Sequence, residues 1–185
     1  NEIVLDVGSG SGDIASEILK VNIPTSLYLL DLNEEMLLEG RKRLKKERNI
    51  KYFIGNAEKL NFENNFFDKY TISFCLRNVT EYLLSIKEAY RVLKPGGKYC
   101  CLEFSTPKSS LISSSYKIYK SKILPLLGEI VAKDKNAYKY LSESIDLFPS
   151  QEELSKNLRD CGFTKVETIN LFNGIVAIHT GYKIC

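Results

Sequence analysis

Short apolar runs alternate with helical hydrophobic patterns along the first half of the chain. The predicted strands are Ile3–Val7, Leu27–Leu30, Lys51–Ile54, Tyr70–Phe74 and Lys98–Phe104, and the predicted helices are Asp13–Lys20, Glu34–Lys46 and Glu81–Leu93. Within the second helix, the spacing of Met36, Leu37 and Leu44 predicts that these side chains face the core. Because strands that alternate with helices usually form a parallel sheet covered by helices, the pattern predicts a doubly wound α/β fold.

The alternation breaks after Phe104, where a serine-rich stretch, 105–115, precedes an apolar and aromatic segment, Tyr116–Val131. We interpret residues from about 105 to 148 as a helical insertion that covers a site. Its apolar spacing favours core packing or a dimer face over direct substrate contact, although a long apolar substrate would need such a wall. The regular pattern then returns, with a predicted helix and an antiparallel hairpin at Gln151–Cys161, Lys165–Leu171 and Gly174–Tyr182.

Composition and charge narrow the class of protein. The length of 185 residues suits a single domain, and the net charge of +3 comes from interspersed basic and acidic side chains, which does not favour a nucleic-acid partner. The five cysteines show no metal-binding spacing, which argues against a zinc site and indicates a reducing compartment. We find no predicted transmembrane segment and no signal peptide. Because the sequence begins directly before its first strand without a methionine, we expect a further upstream segment in the whole protein.

A glycine-rich turn follows the first strand, in the segment Leu5-Asp-Val-Gly-Ser-Gly-Ser-Gly-Asp13. Glycine allows positive φ and a close approach of the backbone to a ligand, and the start of the next helix offers unpaired N–H groups. Dinucleotide sites carry the spacing G-x-G-x-x-G, whereas here Gly8, Gly10 and Gly12 are spaced G-x-G-x-G. The turn therefore indicates a nucleotide-like cofactor other than a dinucleotide.

Two carboxylates flank this turn and indicate which cofactor it holds. Asp6 lies two residues before Gly8, and Asp31 ends the second predicted strand, where an acidic residue can bind the ribose hydroxyls of an adenosine. Together with the glycines they predict a site for S-adenosylmethionine. No metal is expected, because this cofactor already carries the leaving group and the positive charge.

Five further segments carry a resemblance to a known family. They are Ile72-Ser-Phe-Cys-Leu-Arg-Asn-Val79, Tyr90-Arg-Val-Leu-Lys-Pro-Gly-Gly97, Leu102-Glu-Phe-Ser105, Tyr140-Leu-Ser-Glu-Ser-Ile145 and Gly174-Ile-Val-Ala-Ile-His-Thr-Gly-Tyr-Lys183. Over nearly its whole length the chain resembles the UbiE-type C-methyltransferases of ubiquinone and menaquinone biosynthesis. One departure is Cys75, where many members have glycine. The resemblance implies a Rossmann-like class I S-adenosylmethionine-dependent methyltransferase, with a mainly parallel sheet, a C-terminal antiparallel hairpin and a helical insertion.

The resemblance also implies a set of cofactor-binding residues. The implied contacts are Ser11, Asp31, Asn56, Ala57 and Ser73. The glycine turn and its flanking residues add Asp6, Gly8, Gly10 and Leu32 to the predicted set. Asn56 can accept from the exocyclic amine of adenine through its side-chain carbonyl and donate through its amide. The alternative is that Gly55-Asn56 forms only a turn.

The reaction that the resemblance implies is carbon methylation of a quinol, which proceeds best from the phenolate. Since a phenol has a pKa near 10, the site must help to remove or stabilise that proton. The predicted catalytic residues are Arg77, Asn78 and Glu103, and the predicted substrate contacts are Arg77, Asn78, Tyr138 and Tyr140. An arginine stays protonated in proteins, so Arg77 is expected to stabilise the phenolate or orient a water, while Glu103 is expected to accept the proton.

Structural roles remain open for several of these residues. Glu103 could instead cap the following loop, and the two tyrosines could serve only in aromatic packing. His179, the only histidine, and Asp68, at the start of a strand, are expected to be structural.

The leading hypothesis is S-adenosylmethionine-dependent C-methylation of a polyprenylated benzoquinol in ubiquinone biosynthesis. The stretch Tyr99-Cys-Cys-Leu-Glu-Phe resembles mitochondrial members of the ubiquinone pathway more than bacterial dual-function members. The alternatives are a demethylmenaquinone methyltransferase and a cofactor-binding scaffold subunit of a quinone-biosynthesis complex. Expected partners are the lipid, other ubiquinone-biosynthesis proteins and a second copy of the chain. The expected location is the matrix side of the mitochondrial inner membrane as a peripheral protein, or the cytoplasm if the protein is bacterial.

Overall fold

The computed structural model describes residues 2–21, 23–105 and 135–184, except for the side chains of 135–139 and 142. The strands are β1 Ile3–Val7, β2 Ser26–Asp31, β3 Ile50–Ile54, β4 Phe67–Ser73, β5 Leu93–Phe104, β6 Thr164–Leu171 and β7 Val176–Tyr182. The helices are α1 Asp13–Val21, α2 Glu34–Arg43, α3 Tyr82–Val92, α4 Lys135–Leu147 and α5 Gln151–Asp160. Short 3-10 helices span Leu76–Asn78 and Phe172–Gly174. Most of the predicted insertion, including Tyr116–Val131, lies outside the described residues, and α4 is its described part.

The seven strands form one sheet in the order β3-β2-β1-β4-β5-β7-β6. Strands β1 to β5 are parallel to one another, and β7 pairs antiparallel with both β5 and β6. The predicted parallel core and antiparallel hairpin are confirmed. Since β1 lies between β2 and β4, the strand order reverses at β1, and sheets of this kind bind ligands beyond the carboxyl ends of the strands at such a point.

The sheet is covered on both faces, because successive residues of a strand point to opposite sides. On one face, Val4 of β1 packs with Ala15 of α1 and Leu37 of α2. On the other face, Leu5 of β1 shares a cluster with Ile86 of α3 and with residues of α5. Within the described residues, no helix is long and apolar enough to cross a bilayer.

Several details of the predicted elements are wrong. Helix α2 ends at Arg43, three residues before the predicted end, and Met36 is 40% exposed although Leu37 and Leu44 are buried. A Cβ atom on Gly10 would lie 3.4 Å from Met36 Cε, so Met36 lies beside the glycine turn. Strand β5 begins at Leu93 instead of Lys98, because Gly96 N–H donates to the carbonyl of Lys183 at 2.6 Å and extends the sheet.

The two residues expected to be structural are confirmed in that role. Asp68 Oδ2 accepts the backbone N–H of Ile3 at 2.7 Å, and both of its oxygens lie 2.9 Å from Lys94 Nζ. These contacts join the starts of β1, β4 and β5. His179 is buried in β7, with Nε2 3.2 Å from the carbonyl oxygen of Gln151 at the start of α5.

Candidate cofactor and active site

A cavity of about 340 Å3 lies beyond the carboxyl ends of β1, β2, β3 and β4. Its volume falls within the range of roughly 300–1,000 Å3 that is typical of small-molecule sites. The lining residues are Val7, Gly8, Leu30, Asp31, Leu32, Gly55, Asn56, Ala57, Glu58, Phe74, Cys75, Asn78, Val79 and Thr80. The cavity therefore joins the glycine turn to the segment after β4 that the sequence predicts to be catalytic.

The glycine turn is shaped by what surrounds it. Gly8 has a φ of +64°, and a Cβ atom at this position would lie 2.2 Å from Cys75 Sγ, so only glycine fits here. The N–H of Ser9 donates to the carbonyl of Leu30 at 3.1 Å, and the N–H of Gly10 donates to Asp31 Oδ2 at 2.8 Å. These bonds fix the turn against the end of β2, at the cavity wall.

Asp31 lines the cavity and also holds parts of its wall together. Besides accepting from Gly10, it accepts the N–H of Asn33 through Oδ1 at 2.8 Å, directly before α2. A carboxylate has about four acceptor sites, so two remain for a ligand. This geometry agrees with the predicted role of Asp31 at the ribose hydroxyls.

Asp6 lies beneath the turn and does not line the cavity. It is 1% exposed, its Oδ1 accepts the hydroxyl of Thr71 at 2.7 Å, and its Oδ2 is buried without a partner. Burial raises the pKa of Asp6 to about 7; the hydrogen bond from Thr71 opposes this shift, and the nearby charge of Asp31 adds to it. The structure thus places Asp6 as a support of the turn, which differs from the direct cofactor contact that the sequence suggests.

We expect Asp6 to make stability depend on pH. The folded protein keeps this proton up to a pH of about 7, whereas an ordinary aspartate releases it near 3.8, so stability should fall as pH rises between these values. Three pKa units correspond to about 4 kcal/mol in the free energy of unfolding. Asp6→Asn, which keeps an acceptor for Thr71, should remove this loss and be more stable than the parent protein above pH ~7.

Urea unfolding of both proteins from about pH 4 to pH 8 measures that difference. Asp13→Asn is the control, because Asp13 is exposed and its pKa is lowered, first by its hydrogen bond from Arg43. Parallel stability curves for Asp6→Asn and the parent protein would contradict the assignment.

The adenine-side wall is a tight turn after β3. Asn56 Oδ1 accepts the N–H of Glu58 at 2.9 Å, and Asn56 Nδ2 donates to Glu58 Oε2 at 3.0 Å. Asn56 and Ala57 both line the cavity, so the turn that the sequence leaves as an alternative also forms part of the site. Leu32 lines the cavity with 69% of its surface exposed, at the mouth.

Besides Asp6, three predicted cofactor residues do not line the cavity: Gly10, Ser11 and Ser73. Gly10 supports the cavity wall through its bond to Asp31. Ser11 Oγ donates to Asp13 Oδ2 at 2.9 Å, outside the turn. Ser73 is the last residue of β4 and is paired in register with Leu102 of β5. These side chains point away from the cavity because successive residues of a turn or of a strand end point to different sides.

The segment after β4 makes a sharp bend into the cavity wall. Phe74 has a φ of +52°, which is rare for a residue other than glycine, and the 3-10 helix Leu76–Asn78 follows at once. The bend places Cys75 and Asn78 in the cavity wall. Burial raises the pKa of the Cys75 thiol to about 12, so it is present as the uncharged thiol.

Arg77 is bonded away from the cavity. Its Nη1 donates to Glu103 Oε1 at 2.8 Å and to the carbonyl of Phe74 at 2.7 Å, and its guanidinium carbon lies 5.1 Å from the ring centre of Phe104. Its side chain is 9% exposed and does not line the cavity. The structure therefore places Arg77 behind the active-site wall, in contrast to the predicted direct contact with substrate.

Glu103 is the partner that holds Arg77. The residue is 1% exposed, and its two oxygens accept the guanidinium and the N–H of Arg77 and the N–H of Phe104. Burial raises the pKa of Glu103, whereas the charge of Arg77 and these hydrogen bonds oppose the shift. The prediction that Glu103 accepts a proton from substrate is not supported, because the carboxylate is enclosed and its oxygens are already engaged.

Asn78 and Tyr140, both predicted substrate contacts, lie next to each other. Asn78 lines the cavity, and its Oδ1 accepts the hydroxyl of Tyr140 from α4 at 3.3 Å. Tyr140 is 55% exposed and does not itself line the cavity. Tyr138 lies on the same helix, but its side chain lies outside the described part of the structure.

Eight lining residues are absent from the predicted site: Val7, Leu30, Gly55, Glu58, Phe74, Cys75, Val79 and Thr80. The signal was present, since each lies within two residues of a predicted site residue. What the sequence does not show is which side of each turn faces the cavity.

These residues fit a cationic adenosine cofactor. The turn at Gly8 has no room for a side chain, and Asp31 has acceptor positions left for a ligand. The carboxylates of Asp31 and Glu58 in the cavity wall favour a positively charged ligand. No cluster of metal-ligating residues is found in the described parts of the chain.

Comparison with known proteins agrees with this site. A model of the ubiE/COQ5 methyltransferase family matches residues 1–183. The ubiquinone/menaquinone biosynthesis C-methyltransferases UbiE of Rickettsia bellii and Rickettsia prowazekii are 48% and 49% identical over 193 aligned residues, which cover 100% of this chain and 77% of each relative.

Solved structures show the same fold. A S-adenosylmethionine-dependent methyltransferase from Aquifex aeolicus superposes with a TM-score of 0.70 at 19% identity, covering 100% of this chain and 82% of its own. The CurJ carbon methyltransferase and a Haemonchus contortus phosphoethanolamine N-methyltransferase in complex with S-adenosyl-L-methionine each give 0.73, at 16% and 19% identity. Each match covers 100% of this chain and 49% of the other.

Proposed function

Since the chain belongs to the ubiE/COQ5 methyltransferase family and is an S-adenosylmethionine-dependent C-methyltransferase of quinone biosynthesis, we propose that its acceptor is a polyprenylated benzoquinol of the ubiquinone pathway. The observation that supports the proposal is the cavity itself, whose lining includes Asp31, Gly8 and Asn78. The same opening can thus hold a cofactor and present an acceptor to it.

The cofactor side is built from residues that bind and orient. With the cofactor bound, Asp31 would hold the ribose hydroxyls, the backbone of Gly8 would lie against the ligand, and Asn56 and Ala57 would lie beside the adenine. Leu32 contacts the cofactor at the mouth, while Asp6, Gly10, Ser11 and Ser73 support the surrounding backbone. When bound, the cofactor supplies an electrophilic methyl group on a sulfonium.

The reaction forms a bond between a ring carbon of the quinol and the methyl carbon, and breaks the bond between that methyl carbon and sulfur. The ring supplies the electron pair, and the proton on the attacked carbon leaves to solvent, which restores the aromatic ring. The protein must hold the quinol with that carbon toward the cofactor, and it must stabilise the negative charge of the phenolate oxygen of the quinol.

Asn78 and Tyr140 are the residues placed for this task. The amide of Asn78 can donate to a quinol oxygen through Nδ2 while its Oδ1 accepts from Tyr140, and the tyrosine hydroxyl can turn toward the ligand. Arg77 and Glu103 act as positioning residues, because they fix the bend that carries Asn78. Tyr138 remains a predicted substrate contact.

Replacing Asn78 should separate binding from turnover. Asn78→Ala in the full-length protein is expected to lower kcat on a short-tailed demethyl benzoquinol by about 100-fold, the effect of removing one preorganised hydrogen-bond donor, with cofactor affinity changed less than threefold or so. Asn64→Ala, at an exposed turn bonded to Arg91, is the control. Equal loss of cofactor affinity and of kcat would contradict a role toward the acceptor.

The same assay chooses between acceptors. The matched relatives are described as acting in ubiquinone and menaquinone biosynthesis, so demethylmenaquinol is the second candidate. A higher kcat/KM on the benzoquinol than on the naphthoquinol supports the proposal, and the reverse order favours the menaquinone precursor. Tight cofactor binding by the full-length protein without turnover of either acceptor would favour a scaffold role.

The cellular location and the assembly of the protein are further expectations. The relatives compared are bacterial, and nothing in them supports the mitochondrial inner-membrane location that the resemblance suggests. Peripheral association with a membrane follows only from a lipid acceptor. Homodimer formation and contact with other ubiquinone-biosynthesis proteins stay predictions.

A further inference from the structure

Glu58 contacts two walls of the cavity through its two carboxylate oxygens. Oε2 accepts from Asn56 Nδ2 at 3.0 Å, and Oε1 accepts the N–H of Glu81 at 2.6 Å. Glu81 is the N-cap residue of α3, and its own side chain makes no capping hydrogen bond. Glu58 thus caps α3 from the turn after β3, where a negative charge is favoured by the helix dipole. These N–H groups, with the Glu81 bond foremost, lower the pKa of Glu58.

The partners of Asn56 allow only one orientation of its amide. The backbone N–H of Glu58 can only donate, so it must meet the amide oxygen, and the Glu58 carboxylate can only accept, so it must meet the amide nitrogen. If the amide turned over, its oxygen would face the Glu58 carboxylate, acceptor against acceptor, and its NH2 group would face the backbone N–H of Glu58, donor against donor. Each side-chain atom of Asn56 still has one bonding position left for a ligand.

We propose that Glu58 is a positioning residue that sets the base specificity of the cofactor site by holding the amide of Asn56 in this orientation. The inference deepens the proposed function, since it rests on the assignment of Asn56 to the adenine side. Adenine presents an amino donor at its sixth position, whereas hypoxanthine presents a carbonyl acceptor there. A fixed Asn56 oxygen accepts from the first and repels the second, and an amide free to turn over can satisfy either.

Glu58→Gln is the sharpest variant for this proposal. The glutamine oxygen can still cap Glu81, but its NH2 group then faces the NH2 group of Asn56, so the lock is lost while the helix cap is kept. Glu58→Ala removes both contacts. Glu88→Gln is the matched control, because Glu88 of α3 holds the same loop through the N–H of Leu60 at 2.7 Å without touching Asn56.

The test is calorimetric titration of the full-length protein and these variants with S-adenosylhomocysteine and with S-inosylhomocysteine. The parent protein should bind the adenine compound at least tenfold more tightly, and this ratio should fall by about tenfold in both Glu58 variants, the change that one hydrogen bond produces. The ratio should be unchanged in Glu88→Gln. A simply structural role would weaken both ligands equally and leave the ratio intact.

An unchanged ratio in Glu58→Gln, or equal affinity of the parent protein for both ligands, would overturn the inference. These results differ from a failure of the site assignment, in which the parent protein would bind neither ligand.

Discussion

Asp31→Ala is expected to weaken S-adenosylmethionine binding by roughly 100-fold or more, because hydrogen bonds to a charged group contribute about 1.5–3 kcal/mol each and Asp31 serves two purposes. It offers the acceptor sites proposed for the ribose, and it also holds the N–H groups of Gly10 and Asn33. Loss of the carboxylate therefore removes ligand contacts and loosens the turn that forms the cradle.

Isothermal calorimetry on the full-length protein measures this effect, with thermal unfolding to show that the variant folds. Asp13→Ala is the matched control, because Asp13 is a carboxylate of the same turn that is exposed and does not line the cavity. It should bind the cofactor as the parent protein does. If Asp31→Ala kept its affinity, the cofactor would have to lie elsewhere.

The second large effect is expected at the buried ion pair of Arg77 and Glu103. Removing one partner of a buried pair leaves an uncompensated charge, which typically costs about 3–5 kcal/mol of stability. Glu103→Ala should therefore lower the free energy of unfolding by that order. It should also lower kcat, because the bend that carries Asn78 loses two of its bonds.

A double variant separates the two consequences. Arg77→Met combined with Glu103→Leu replaces the pair by apolar side chains and should recover most of the lost stability, as buried pairs elsewhere allow. Because the bend stays unanchored, kcat should remain low. Urea unfolding and the methyl-transfer assay measure the two quantities, and recovery of kcat with stability would contradict the positioning role.

The sequence predicts the fold correctly, and five of its predicted cofactor residues line the cavity: Gly8, Asp31, Leu32, Asn56 and Ala57. The apolar runs are predictable because each strand buries one or both of its faces. The turn at Gly8 is predictable from its three closely spaced glycines. Asp31 is predicted as a ligand contact because sheets of this kind bind ligands at the carboxyl ends of their parallel strands.

The sequence could not show how side chains near the site pair with one another. The sequence predicts catalytic roles for Arg77 and Glu103, but the two residues lie 26 positions apart and form an ion pair behind the cavity wall. It predicts a cofactor contact for Asp6, which precedes the glycines, whereas the structure buries this side chain beneath the turn. Helical spacing predicts that Met36 faces the core, yet Met36 lies beside Gly10 and is partly exposed. Such outcomes depend on contacts between distant segments.

The most direct test is transfer of a labelled methyl group from S-adenosylmethionine to a short-tailed demethyl benzoquinol by the full-length protein, with the position of the label found by NMR. We predict that the label appears on a ring carbon and that Asp31→Ala and Asn78→Ala both suppress it. Label on oxygen, or no transfer by protein that binds the cofactor, would contradict the proposed reaction.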